Sequence, residues 1–228
     1  MSLKGLGSVQ FSEWFPSASK RNGIVRNGAL IAGLAFVLAG CQRNPMLVKR
    51  SPCPAVAVPA YLGDATIFGP GGSSDAKNID VVATITKVRE SCLEGGEMLT
   101  TDVAFDVIAR RNDAGPARSL TLPVFATVVQ GGNLVLSKEV VGVVVSFAEG
   151  QTRGSGSGGV RTNVSRSAAT LPPEIQAKVA RKRKATDADA AVDPLADPQV
   201  RAALRAVSFE VLLGFQLDEA SLAYNVSK

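Results

Sequence analysis

Residues 102–110, DVAFDVIAR, place Val103, Phe105, Val107 and Ala109 at every second position, with Asp102, Asp106 and Arg110 set between them. A two-residue period sends alternate side chains to opposite faces, the pattern of a strand with one buried and one wet face. The period recurs on both sides of this stretch. Upstream it runs through Ile79, Val81, Ala83 and Ile85; downstream it runs through Leu120, Leu122, Val124, Ala126 and Val128, then Leu134 and Leu136, then Val141, Val143, Val145 and Phe147. Val160, Thr162 and Val164 form a further run and Phe209, Val211, Leu213, Phe215 and Leu217 a late one. With Val56 and Val58 at the start, the count is about eight strands.

Turn residues punctuate the runs: Gly69 to Gly72, Gly95 and Gly96, Asn112 to Gly115, and Gly131 to Asn133. The stretch GSGSGG at 154–159 reads as one more flexible hairpin loop, because a phosphate-binding loop needs a lysine after its last glycine and Val160 stands there. Short turns without crossover helices predict antiparallel sheets packed face to face, a mainly β domain of immunoglobulin-like sandwich type. The likeness is to the architecture alone, since the chain's one tryptophan, Trp14, precedes the domain. Residues 172–206 break the pattern. Pro172 and Pro173 open a helix with Glu174 in its first turn and Arg181, Lys182, Arg183 and Lys184 in its last, and Asp197 with Pro198 caps a second helix. This segment is read as a small helical insertion before the last strand. Asp218 to Asn225 reads as a closing helical turn or two with Leu222 and Tyr224 packed back on the core.

Composition narrows the chemistry. The 228 residues contain no histidine and three cysteines, which excludes His-based triads, histidine metal sites and a four-cysteine zinc knuckle in one chain. Asp102 and Asp106 lie on the wet face of a strand and read as solvated surface, not as a glycosidase pair. No metal, cofactor or enzymatic activity is expected. The net charge of +5 is uneven: residues 1–40 hold Lys4, Lys20, Arg21 and Arg26 against Glu13, leaving 21 basic and 19 acidic side chains in the remainder. So balanced a chain has little attraction for phosphate polymers, and no nucleic-acid partner is expected.

Residues 29–40, ALIAGLAFVLAG, are 12 uncharged residues behind that basic cluster. As a helix they would span about 18 Å, against a bilayer core of about 30 Å, so the stretch reads as a secretory leader core and not as an anchor helix. It closes on Leu38, Ala39, Gly40 and Cys41. These four residues, with the leader before them, resemble the lipobox of bacterial lipoproteins. That resemblance implies a signal peptide over 1–40, diacylglycerol on the Cys41 sulfur, and a membrane partner held through the acylated N-terminus. Gln42 stands where lipoproteins retained in the inner membrane typically have Asp, which favours the outer membrane, on its periplasmic face. The ending, Gly214 to Leu217 with Leu222 to Asn225, is similar to that of uncharacterised proteobacterial envelope lipoproteins.

With Cys41 acylated, Cys53 and Cys92 remain. An even pair in an oxidising compartment is more often bridged than free, and the bridge would stabilise the fold by roughly 4 kcal/mol. Residues 42–52 then form a polar tether, 41–52 with the lipidated cysteine, and 53–228 the domain. Arg181, Lys182, Arg183 and Lys184 are its sharpest charged feature and a candidate contact for anionic headgroups or an acidic partner. The functional expectation is a structural or interaction module of the cell envelope with an envelope-protein partner. The alternative is a periplasmic lipid- or glycan-binding module, which an apolar cavity would favour and a filled core would disfavour.

Overall fold

A computed structural model describes residues 51–71 and 73–228. Cys41, the lipobox and the leader lie outside the described residues. Eight strands follow one another: β1 (Ala55–Ala57), β2 (Asp64–Phe68), β3 (Ile79–Leu93), β4 (Met98–Arg111), β5 (Arg118–Gln130), β6 (Leu134–Phe147), β7 (Arg153–Ser165) and β8 (Phe209–Phe215). Helices α1 (Pro173–Ala180) and α2 (Pro198–Ala206) stand between β7 and β8, and α3 (Glu219–Ser227) ends the chain.

The mainly β expectation is met. The strands hydrogen-bond into one curled sheet in the order β1-β8-β5-β6-β7-β4-β3-β2, a half-barrel, and the separate sheets of an immunoglobulin-like sandwich are not confirmed. The sheet is also mixed, because β1 runs parallel to β8, with Ala55 opposite Glu210. Its weakest join is in the middle. β6 and β7 meet through the single pair Ser146 and Ser155, whereas β4 pairs with β7 from Met98 to Arg110.

The supposed loop at 154–159 is strand β7, and its glycines explain the join. Gly154, Gly156 and Gly158 occupy the inward positions, continuing the parity of Val160, Thr162 and Val164. A Cβ at Gly156 would stand 2.2 Å from the Val144 carbonyl oxygen, and one at Gly158 would meet Phe105 at 2.7 Å and Val143 at 2.8 Å. Only glycine lets β6 cross β7 at that distance, so a stretch that reads as flexible is a packed crossing.

Alternation then fills the concave side. Phe105, Phe147, Phe215, Leu99 and Leu213 are almost fully buried, with Val81, Val103, Val107, Val124, Val143 and Val145 among them. Burial of each such side chain contributes about 1.5–3 kcal/mol relative to exposure. The curl also brings distant strands together. Phe215 N–H donates to the Leu62 carbonyl at 2.8 Å and Ile85 N–H to the Gly63 carbonyl at 2.9 Å, so the 58–63 loop links β8 to β3.

The Cys53–Cys92 disulfide is present, with Cα atoms 6.2 Å apart. Cys53 lies just before β1 and Cys92 inside β3, so the bridge ties one edge of the sheet order to the strand next to the other edge. Helix α1 stops at Ala180, leaving Arg181 to Lys184 beyond its end instead of in its last turn. Asp197 does cap α2, accepting from Gln199 N–H at 2.8 Å. In α3 the inward residues are Ser221 and Asn225, with Tyr224 edge-on to Phe68 at 5.3 Å, while Leu222 is exposed. Asn225 Nδ2 donates to the Tyr61 and Asp64 carbonyls, and its Oδ1 accepts from Thr66 Oγ1 at 3.2 Å.

Candidate functional site

Strand β6 pairs with β5 along its whole length, from Leu134 opposite Gln130 to Phe147 opposite Arg118. On its other side it pairs only at Ser146. From Leu134 to Gly142 that second edge has no strand partner among the described residues, whereas Val143 and Val144 lie against Gly156 and Gly158 of β7. Odd positions from Val141 to Phe147 face the core, while Val140 and Val144 on the opposite face are exposed; Leu134, Val135 and Leu136, at and beyond the register shift between Val128 and Val129, are exposed as well. An unpaired edge of this length, flanked by apolar side chains, is a template for adding a further strand. One cation interrupts it: Lys138 Nζ donates to Gln216 Oε1 at 2.6 Å and lies 5.2 Å from the Phe125 ring centroid.

The convex face across β3, β4 and β7 is polar. Arg161 donates to Asp102 through Nε at 2.6 Å and through Nη2 at 3.1 Å, and Asp106 accepts from Ser157 at 2.9 Å beside Lys87 at 3.3 Å. The hydrogen bond from Arg161 holds the Asp102 carboxyl below its ordinary range, and those from Ser157 and Lys87 do the same for Asp106. Both carboxylates are thus ionised and partnered, the reverse of what a general acid needs. A groove of about 470 Å³ runs beside them over Ala104 and Gly159, between Arg89 and Arg161. A second, of about 350 Å³, lies between β2 and β5 and is lined by Phe68, Leu120, Leu122 and Leu217; both are open to solvent.

The basic cluster is partly neutralised. Arg181 contacts Asp187 at 3.6 Å and Asp189 at 2.5 Å, and Arg183 contacts Asp189 at 3.5 Å. Lys182 and Lys184 are exposed and make no ion pair among the described residues. Among those residues, no group of three or more Cys, Asp or Glu could hold a metal ion, and no helix is long and apolar enough to cross a membrane.

Three features escaped the sequence reading. Arg111 is buried, and its guanidinium donates only to carbonyls: Gln151 at 2.8 Å, Pro116 at 2.8 Å, Gly115 at 2.7 Å and Ala148 at 3.2 Å. Its signal was parity, since position 111 continues the inward series 105, 107, 109. Thr101 and Thr162 are cross-strand neighbours on the inward side, buried with hydroxyls lacking a hydrogen-bond partner. The free edge of β6 had no sequence signal, because which strands pair is decided far along the chain. Compared with protein-family models, curated proteins and solved structures, the chain matches none.

Proposed function

We propose that this chain is an outer-membrane lipoprotein, anchored through Cys41 and facing the periplasm, whose domain is a structural or interaction module of the cell envelope. The observation that carries the interaction reading is the β6 edge from Leu136 to Gly142, unpaired and bordered by exposed Leu136 and Val140. Backbone groups along such an edge supply affinity to an added strand, and the alternate side chains supply selectivity. The anchor reading rests on Leu38-Ala39-Gly40-Cys41 and its leader. The two four-stranded halves of the sheet pack their inner faces on a common core, and we read them as an immunoglobulin-like sandwich open along one seam. The core packed with Phe105, Phe147 and Phe215 beneath two solvent-open grooves supports the interaction reading over the alternative of a lipid- or glycan-binding module.

The test is a crosslinking pull-down of the acylated protein from membranes, beside Cys41→Ala and the edge variants Leu136→Lys and Val140→Lys. One stoichiometric envelope protein, lost from both edge variants while their melting temperatures hold, is the expected result. Recovery of lipid or glycan alone would overturn it.

A further inference from the structure

The strand ladders give the sheet two poles. Cys53, just before β1, stands at the same end as the β5–β6 turn, because Ala55, Glu210, Val129 and Val135 share one row. The disulfide brings the β3–β4 turn, residues 94–97, to that end. The helical segment leaves from it and returns to it: Arg166 N–H donates to the Glu97 carbonyl, and Gly131 N–H to the Ser208 carbonyl, at 2.8 and 2.9 Å. The first described residue, the tips of the two longest hairpins and both ends of the stretch bearing Lys182 and Lys184 therefore belong to one pole.

The poles differ in chemistry. Leu93, Met98, Leu134 and Val135 at the tips are all exposed, and Val192 and Leu195 are exposed in the helical segment. The turns at the other pole, 69–78, 112–117 and 148–152, expose no large apolar side chain among the described residues. Ile108, Val144, Leu222 and Val226 are exposed elsewhere on the domain, and scattered residues of that kind need no explanation, but two pairs at hairpin tips that share one end do.

We propose that the apolar pole lies against the bilayer that holds the anchor, with Leu93, Met98, Leu134 and Val135 at headgroup depth and Lys182 and Lys184 beside anionic headgroups. This deepens the anchor reading and rests on acylation at Cys41. Chain length supports the polarity. Nine residues separate Cys41 from Ser51, and the ten Cα–Cα steps reach at most about 35 Å, whereas β4 alone, Met98–Arg111, runs about 43 Å from pole to pole. A tether shorter than the strand keeps the disulfide end, not the far turns, near the membrane. Glu94 and Glu97 in the β3–β4 tip make the contact one of apolar side chains seated in the interface, flanked by lysine, and not a charge-only attraction.

The sequence offers a clean probe, since cleavage before Cys41 removes its one tryptophan, Trp14. Acylated full-length protein carrying Leu93→Trp, Leu134→Trp or, at the far pole, Ala114→Trp is reconstituted into phosphatidylethanolamine–phosphatidylglycerol vesicles containing lipids brominated near the headgroup. All three positions are exposed, and Val135→Trp serves as a second reporter if Leu134→Trp misfolds. Quenching about threefold stronger at positions 93 and 134 than at 114 is expected for side chains about 5–10 Å into the interface. Equal quenching at the two poles, or stronger quenching at 114, overturns the proposal. Intact mass distinguishes the failures: an unmodified Cys41 removes anchor and orientation together, whereas an acylated Cys41 with uniform quenching removes the orientation alone.

Discussion

The Arg111 guanidinium lies 5.3 Å from the ring centroid of Phe147, and through it the β4–β5 and β6–β7 turns are fastened to the core. Four carbonyls on two turns depend on one fork of donors. Arg111→Ala is expected to cost about 3 kcal/mol, because the carbonyls lose their charged donors and the ring loses its cover. Arg111→Lys should recover less than half of that, since an ammonium cannot span the fork. Urea denaturation of both variants checks this; a change under about 0.5 kcal/mol for Arg111→Ala, the size of an ordinary surface substitution, would refute the clamp.

Neighbouring glycines of β7 should respond in opposite ways. Gly156→Ala drives a methyl into the Val144 carbonyl and is expected to destabilise by about 2–3 kcal/mol. Gly159 faces outward, with the Val103 carbonyl oxygen 3.5 Å from an added Cβ, so Gly159→Ala should be neutral or stabilising by about 0.5 kcal/mol. Thermal unfolding of the pair measures the contrast. Equal effects would mean that β6 does not cross β7 at this point.

Alternation made most strands legible, and its failures have physical causes. DVAFDVIAR is the inner part of β4, and Phe209 to Phe215 is β8, because one buried face imposes a period of two wherever side chains are large. In β7 the inward positions are glycines, which carry no hydropathy signal, so a packed strand looked like a loop. In β6 the pair Leu134 and Leu136 has the opposite parity to Val141, Val143, Val145 and Phe147, and the two runs read as separate strands. They are one strand, in which a bulge at Leu136, opposite the step from Val128 to Val129, changes the parity. Single-sheet order and the parallel β1–β8 pair depend on contacts far apart in sequence, and local periodicity does not record them.

The disulfide was legible from the cysteine count and the expectation of an oxidising compartment, and its position gives a quantitative expectation. Cys53 and Cys92 are 39 residues apart, for which the chain-entropy relation gives about 4 kcal/mol. Cys53→Ser/Cys92→Ser should lose stability of that order, and dithiothreitol should lower the melting temperature of the wild type but not of the double variant. Thiol titration of native material should find no reactive Cys53 or Cys92 before reduction; two free thiols there would count against an oxidised domain.

Acid should loosen the C-terminal helix first through its cap. The backbone N–H of Ser221 donates to Asp218 Oδ1 at 2.7 Å, and with the Ser221 hydroxyl it holds the Asp218 carboxyl below the ordinary value of about 3.9. A carboxylate depressed in the folded state contributes stability that is complete above its unfolded value and is lost as pH falls through its folded value. The cost of Asp218→Ala, about 1 kcal/mol at neutral pH for a lost N-cap, should therefore begin to shrink only as pH falls below the ordinary carboxylate value of about 3.9 and fade as it passes the depressed folded-state value. Unfolding curves of wild type and variant between pH 7 and pH 2 test this, and a constant difference throughout would contradict it.

The location proposed for the protein turns on what has happened at one cysteine. Intact-mass and N-terminal peptide analysis of protein purified from outer-membrane fractions should find a chain starting at Cys41, carrying a diacylglycerol thioether and an acylated amine. A chain that keeps residues 1–40 with an unmodified Cys41 thiol would contradict the anchor, the compartment and the proposed role at once.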